Sequence, residues 1–311
     1  MDGKTTTMLP SWETVGTAVL LIFSCTLIYG TFHLFSLIPR TEPGIRGLQD
    51  ERRSEAQLDR PAPPLKASNH VHDGKYHLLL AATGSVATIK IPNILSALAK
   101  YKNLSIRVLL SDSAAEFLQG QAGEQPGLQE ITKIKNVEAI YRDEDEWRKP
   151  WVRGDSILHI ELRRWADLMV IAPLSANSLA KLALGFSDNM VSSVARAWDT
   201  TGLIDGLREG VQLAPTENGE AKKVIMVAPS MNTAMWNHPA TKRHLDVMAD
   251  DWNVGNGGWF EILQPIDKGL ACGDTGGGAM KEWKEIVAAV EAKFPGLRER
   301  EQDVKMNGVV K

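Results

Sequence analysis

With 311 residues, a hydrophobic share of 43% and a formal net charge of −3, the chain is sized for one large domain or two small ones of ordinary globular composition. No Lys/Arg stripe breaks that balance, which excludes a nucleic-acid partner. Cys25 and Cys272 are too far apart for a disulfide framework or a thiolate site, and the histidines read as scattered without HxH or HExxH spacing, so no metal is expected.

Residues 1–13 form a weakly charged tail. No Asp, Glu, Lys or Arg occurs between Glu13 and Arg40, and the run 14–38 can cross a bilayer core of roughly 30 Å as one transmembrane helix. Its length and weakly basic flank argue against a cleaved signal peptide. Arg40, Arg46, Arg52 and Arg53 follow the run while only Lys4 precedes it, a bias that places the downstream domain in the cytoplasm, anchored to the membrane. Residues 39–75, with RPAPPL as a stiff spacer, read as a linker.

The folded domain is expected over residues 76–295. It opens on a buried strand from Tyr76 that ends in Thr83-Gly84-Ser85, followed by helical periodicity over 89–100. A second strand, 105–110, runs into the hydroxyl-rich Ser111-Asp112-Ser113; a third covers 136–141, and 142–148 is a charged surface run without evident chemistry. The stretch from His159 to Asn189 organises the rest. Its helix opens on His159, a buried strand covers 167–173, and a Ser175-Ala176-Asn177-Ser178 turn leads into the next helix. A helix over 189–199, a surface insertion at 200–222 and a strand at 223–228 follow. PSMNTAMWNHP stands at the carboxyl end of that strand, before a helix at 240–249 and a last strand at 260–263. A glycine-dense loop, KGLACGDTGGGAM, then precedes a final helix at 281–293 and a tail from 296. Strands alternating with helices give an α/β doubly wound parallel sheet, whose ligands sit at the carboxyl ends of the strands.

Three serine-rich turns at such ends, around Gly84-Ser85, Ser111 to Ser113 and Ser175 to Ser178, can offer N–H and hydroxyl donors to a phosphate and a planar ring. Flavin mononucleotide (FMN) fits that description, although such turns equally serve as plain helix caps. Asn232 lies between methionines and can bind a carboxylate or cap a helix. Cys272, among glycines, is either a reactive thiol on a mobile lid or an idle one, and a lone His159 is by itself unremarkable.

Taken together, LHIELRRWADLMVIAPLSANSLAKLA, ARAWD, APSMNTAMWNHP and LACGDTGGGAM resemble the phosphopantothenoylcysteine decarboxylases of eukaryotic coenzyme A biosynthesis, halotolerance-protein-like flavoproteins. The resemblance implies a flavodoxin-like fold with bound FMN, assembled as a homotrimer or as a mixed trimer with a paralogue. His159 would come from one subunit, with Asn232 and Cys272 from its neighbour. It further implies FMN contacts from Gly84, Ser85, Val86, Ser111, Ser113, Ser175, Ala176, Asn177, Ser178 and Ser230. Asn232 would grip the substrate carboxylate beside a lid running from Ala271 to Met280, with His159 as base and Cys272 as proton donor. Gly269 departs from the family, which has a basic residue near that position. The implied reaction converts 4'-phospho-N-pantothenoylcysteine to 4'-phosphopantetheine, through oxidation to a thioaldehyde and decarboxylation to an enethiolate that is then reduced and protonated. Two other readings share the motifs. One is a regulatory subunit that inhibits a protein phosphatase; the joint presence of His159, Asn232 and Cys272 and the short mixed tail favour the enzyme over it. The other is a peptidyl-cysteine decarboxylase.

Overall fold

Seven consecutive buried residues make β1, Tyr76–Ala82. A tight turn at Val86–Lys90 leads to α1, Ile91–Leu98, and then to β2, Leu104–Leu110, again buried throughout. Short helices α2, Asp112–Glu116, and α3, Leu128–Ile131, precede β3, Val137–Tyr141. Helix α4, Leu158–Trp165, feeds β4, Leu168–Leu174, which is followed by α5, Ala176–Leu184, and α6, Met190–Arg196. Beyond β5, Val224–Pro229, come α7, Thr233–Trp236, α8, Pro239–Ala249, and β6, Phe260–Ile262. Strands β7, Ile266–Gly269, and β8, Thr275–Ala279, precede the last helix, α9, Trp283–Lys293. This computed structural model describes residues 64–119, 127–269 and 275–297. The apolar run 14–38, most of the linker, the tail from 298, Ala271 and Cys272 lie outside the described residues. Among the described residues no helix is long and apolar enough to cross a membrane.

Six parallel strands form one sheet in the order β3-β2-β1-β4-β5-β6. Set aside the half-buried edge strand β3 and the remaining order is that of a flavodoxin, so the expected doubly wound sheet carries one additional edge strand. Alternate residues of β1 face opposite layers. Leu78 and Leu80 pack with Ile94 and Leu98 of α1 and Val290 of α9, while Leu79 and Ala81 pack with Trp165 of α4, Leu179 of α5 and Val194 of α6. Helices on both faces explain why β4 and β5 are apolar without alternation, while β2 buries Ser105 and Arg107 between its apolar residues.

Three features depart from the sequence reading. Residues 64–75, read as linker, already belong to the fold: Leu65 is 3% exposed and joins the α4 layer. The glycine-dense loop is flanked by an antiparallel ribbon, β7 against β8. Its glycines serve packing rather than mobility at 276–278: a Cβ on Gly278 would lie 2.7 Å from the Met231 carbonyl oxygen, and one on Gly277 2.8 Å from the Trp236 ring. Finally, the insertion 200–222 forms no helix or strand, as expected, yet it is pinned. Arg208 donates to both oxygens of the fully buried Asp167 at 3.1 and 2.6 Å.

Candidate functional site

The chain reverses its winding direction between β1 and β4, where adjacent connections leave on opposite sides and open a crevice at the carboxyl ends. Thr83, fully buried just past β1, joins the two strand ends. Its hydroxyl donates to the Pro173 carbonyl at 3.0 Å and accepts the Ser175 N–H at 2.8 Å. That pair holds the start of α5 beside the Gly84-Ser85 turn. Ser175 caps α5 by accepting the Ser178 N–H at 3.3 Å, and Ser111 caps α2 by accepting the Ala114 N–H at 3.3 Å. Ser85 accepts the Ala87 N–H and shares a 2.9 Å hydrogen bond with the Ser230 hydroxyl at the end of β5. Gly84 is obligatory because a Cβ there would stand 2.5 Å from the Ser113 hydroxyl oxygen.

These turns surround a cavity of about 850 Å³, within the usual range for a small-molecule site. Gly84, Ser85, Val86, Ser113, Ser175, Ala176, Asn177, Ser230, Asn232 and Met280 all line it. Ser111 and Ser178 do not: both are buried behind it, Ser111 within 3.2 Å of the Ser113 hydroxyl and Ser178 within 3.2 Å of the Ser175 hydroxyl. Each orients a lining serine. Met231 and Met235 supply the anticipated apolar wall, whereas Trp236 turns to the β8 glycines. Lining residues that the sequence reading missed include Lys90, Phe117, Lys281, Glu282 and Trp283. A cation, several hydroxyl donors, capped helix starts and flat apolar walls together suit a phosphorylated ring system, so the residues present fit FMN.

Asn232 caps α7 and lines the cavity. Its Oδ1 accepts the Met235 N–H at 2.8 Å, which fixes the amide orientation and leaves Nδ2 as a donor for a substrate carboxylate. His159 is not among the lining residues of this cavity. It sits in the first turn of α4, with Nδ1 2.5 Å from Glu146 Oε1, and the Glu146 side chain is 8% exposed. The run 142–148 therefore has a role that the sequence did not reveal: Glu146 holds His159, and Asp143 accepts the Met190 N–H at the start of α6 at 2.7 Å. Burial raises the Asp143 carboxyl above its ordinary pKa, against the opposing Met190 hydrogen bond.

A family profile described as Flavoprotein matches residues 66–295. A phosphopantothenoylcysteine decarboxylase of Arabidopsis thaliana is 40% identical over 216 residues, covering 70% of this chain and 84% of the relative. The chain spans about a third of two longer fungal relatives, 31% of one from Schizosaccharomyces pombe and 35% of one from Saccharomyces cerevisiae. Among solved structures, a PPC decarboxylase mutant complexed with pantothenoylaminoethenethiol gives a TM-score of 0.53 at 39% identity, over 70% of this chain and 97% of that one. The FMN binding protein AtHal3 gives 0.51 at 39% identity, over 70% and 95%. The chain belongs to the flavoprotein family, with phosphopantothenoylcysteine decarboxylases among its relatives.

Proposed function

We propose that the protein is an FMN-dependent phosphopantothenoylcysteine decarboxylase, which removes CO2 from 4'-phospho-N-pantothenoylcysteine to give 4'-phosphopantetheine for coenzyme A synthesis. The observation that carries this reading is the convergence of the Ser85, Ser113 and Ser175 turns with Asn232 on one cavity at the strand ends. When bound, FMN supplies a reversible two-electron sink, without which loss of CO2 from a cysteine carboxylate would leave an unstabilised carbanion.

The chain's own residues do the rest. Ser85, Ser113, Ser175 and Asn177 hold the cofactor, and the Asn232 Nδ2 donates to the substrate carboxylate. His159 takes the proton released when the thiol-bearing carbon is oxidised. Cys272 returns a proton once CO2 has left, so a proton replaces the carboxylate with no net redox change. Because His159 stands apart from the cavity of its own chain, a second copy supplies it in this reading. Trp147, Trp151, Val152 and Ile157, exposed by 71, 51, 65 and 39%, lie in the segment that leads into α4 and are apolar surface that a neighbouring subunit of a trimer would cover. Residues 14–38 would tether the domain to a membrane and keep it in the cytoplasm.

The test uses the purified full chain, sized and incubated anaerobically with the substrate, beside Cys272→Ser. Wild type is expected to be a trimer that needs detergent for extraction, releases CO2 and forms 4'-phosphopantetheine. Cys272→Ser should still release CO2 but deliver the oxidised enethiol. A yellow, folded trimer that releases no CO2 would end the enzymatic reading in favour of a binding role, and a monomer would end the shared site.

A further inference from the structure

At the amino end of β1, about 20 Å along the strand from the cavity, two imidazoles converge on one carboxylate oxygen. His77 is fully buried, its ring stacked on Trp165 at 4.4 Å with planes 8° apart. Its Nδ1 lies 2.9 Å from the Trp165 carbonyl oxygen. A carbonyl can only accept, so Nδ1 carries a proton. Its Nε2 lies 2.8 Å from Asp73 Oδ2. In a neutral ring with Nδ1 protonated, Nε2 presents a lone pair, which cannot face a carboxylate without a positive charge between them. That charge is either a second proton or a metal ion.

His70 decides between the two. Its Nδ1 lies 3.5 Å from the same Asp73 Oδ2, and the donor atoms of His70, Asp73 and His77 all fall within 4.8 Å of one another. A proton on His77 serves one of these imidazoles, whereas a metal ion engages both and the carboxylate. Ligands about 2.0–2.1 Å from a tetrahedral ion stand about 3.3 Å apart, and the 2.8 and 3.5 Å separations to Asp73 Oδ2 fall on either side of that value. The Trp165 carbonyl on Nδ1 is the outer acceptor that orients a metal-bound imidazole. Arg208 pairs with Asp167 at 2.6 Å and with Asp73 at 3.3 Å, which holds the Asp73 carboxylate in place.

We propose that His70, Asp73 and His77 bind a divalent transition-metal ion of the zinc class. The ion closes a structural staple between the turn at Ala67–His70 and the central strand β1, remote from the cavity. Solvent fills the remaining position, since the His70 and Asp73 side chains are 28 and 21% exposed. His72 takes no part: its Nδ1 meets Glu209 at 3.7 Å on the exposed surface.

The experiment strips the full chain with a chelator, reloads it with Zn2+ alone, desalts it, and measures metal content and melting temperature beside His70→Ala and His72→Ala. His70→Ala keeps the buried His77–Asp73 pair and should fold, which unchanged flavin content checks. Wild type and His72→Ala are expected to retain one zinc per chain and to melt about 5 °C higher at a hundredfold excess over Kd. His70→Ala should lose at least about tenfold in affinity. Wild type that retains no zinc, or His70→Ala that retains as much as wild type, would overturn the site and leave a buried imidazolium–carboxylate pair.

Discussion

Glu146 is the residue on which the proposed chemistry depends most indirectly. It keeps one oxygen 2.5 Å from His159 Nδ1 while its own side chain is nearly covered. A carboxylate on Nδ1 fixes the ring's orientation and leaves Nε2 to exchange the proton. Glu146→Gln keeps the shape but weakens that hold. It should lower kcat by about 10- to 100-fold with KM and flavin content unchanged, as single-turnover and steady-state kinetics would show; an unchanged kcat would remove Glu146 from the site. No periodic signal links Glu146 to His159, since the pair closes across a loop of charged residues. Asn232 was legible but ambiguous: the cap uses only its Oδ1, so a cap does not exclude the donor role proposed for Nδ2. The sequence reading found no HxH spacing, yet His70-Val71-His72 is one; it stood in a segment taken for linker, and only His70 of that pair joins Asp73 and His77.

At the scale of elements, buried strands were the most legible because a parallel sheet covered on both faces needs unbroken apolar runs. The β7–β8 ribbon was not, since glycines selected for close approach to Met231 and Trp236 look like glycines selected for mobility. The β4–α5 junction carries the site through Thr83. Thr83→Val keeps the volume and the hydrogen bond from the residue-83 N–H to the Pro173 carbonyl but leaves the Ser175 N–H without its acceptor in the interior. A loss of about 1–3 kcal/mol in denaturant unfolding is expected, together with weaker flavin retention; equal stability would show that the hydroxyl bridge is dispensable. The loop after α6 depends on one carboxylate. Asp199 accepts N–H groups of Thr201, Gly202, Ile204 and Asp205 and the Thr201 hydroxyl at 2.7–3.1 Å. Burial opposes ionisation, yet these hydrogen bonds prevail and lower its pKa from 3.8 to about 2. A depressed folded pKa stabilises above the unfolded value and is lost as pH falls through the folded one. The melting-temperature gap between wild type and Asp199→Asn should therefore be constant above pH 3.8 and shrink toward pH 2. A gap independent of pH over that window would contradict the assignment.

For the whole molecule, alternation of strands and helices announced a doubly wound sheet, but the pairing order was not readable from spacing. It follows from parallel crossovers of one hand, which place β1 beside β4 and open the crevice there. Four separate segments, around Ser85, Ser113, Ser175 and Asn232, meet at that crevice. His159 does not line that cavity, which is why the proposed function takes it from a second copy. The decisive measurement compares anaerobic CO2 release from phosphopantothenoylcysteine by the flavin-stripped protein before and after reconstitution with FMN. Release that appears only on reconstitution and matches 4'-phosphopantetheine mole for mole is the predicted result. Release at the same rate without flavin, or none with flavin fully bound, would contradict it.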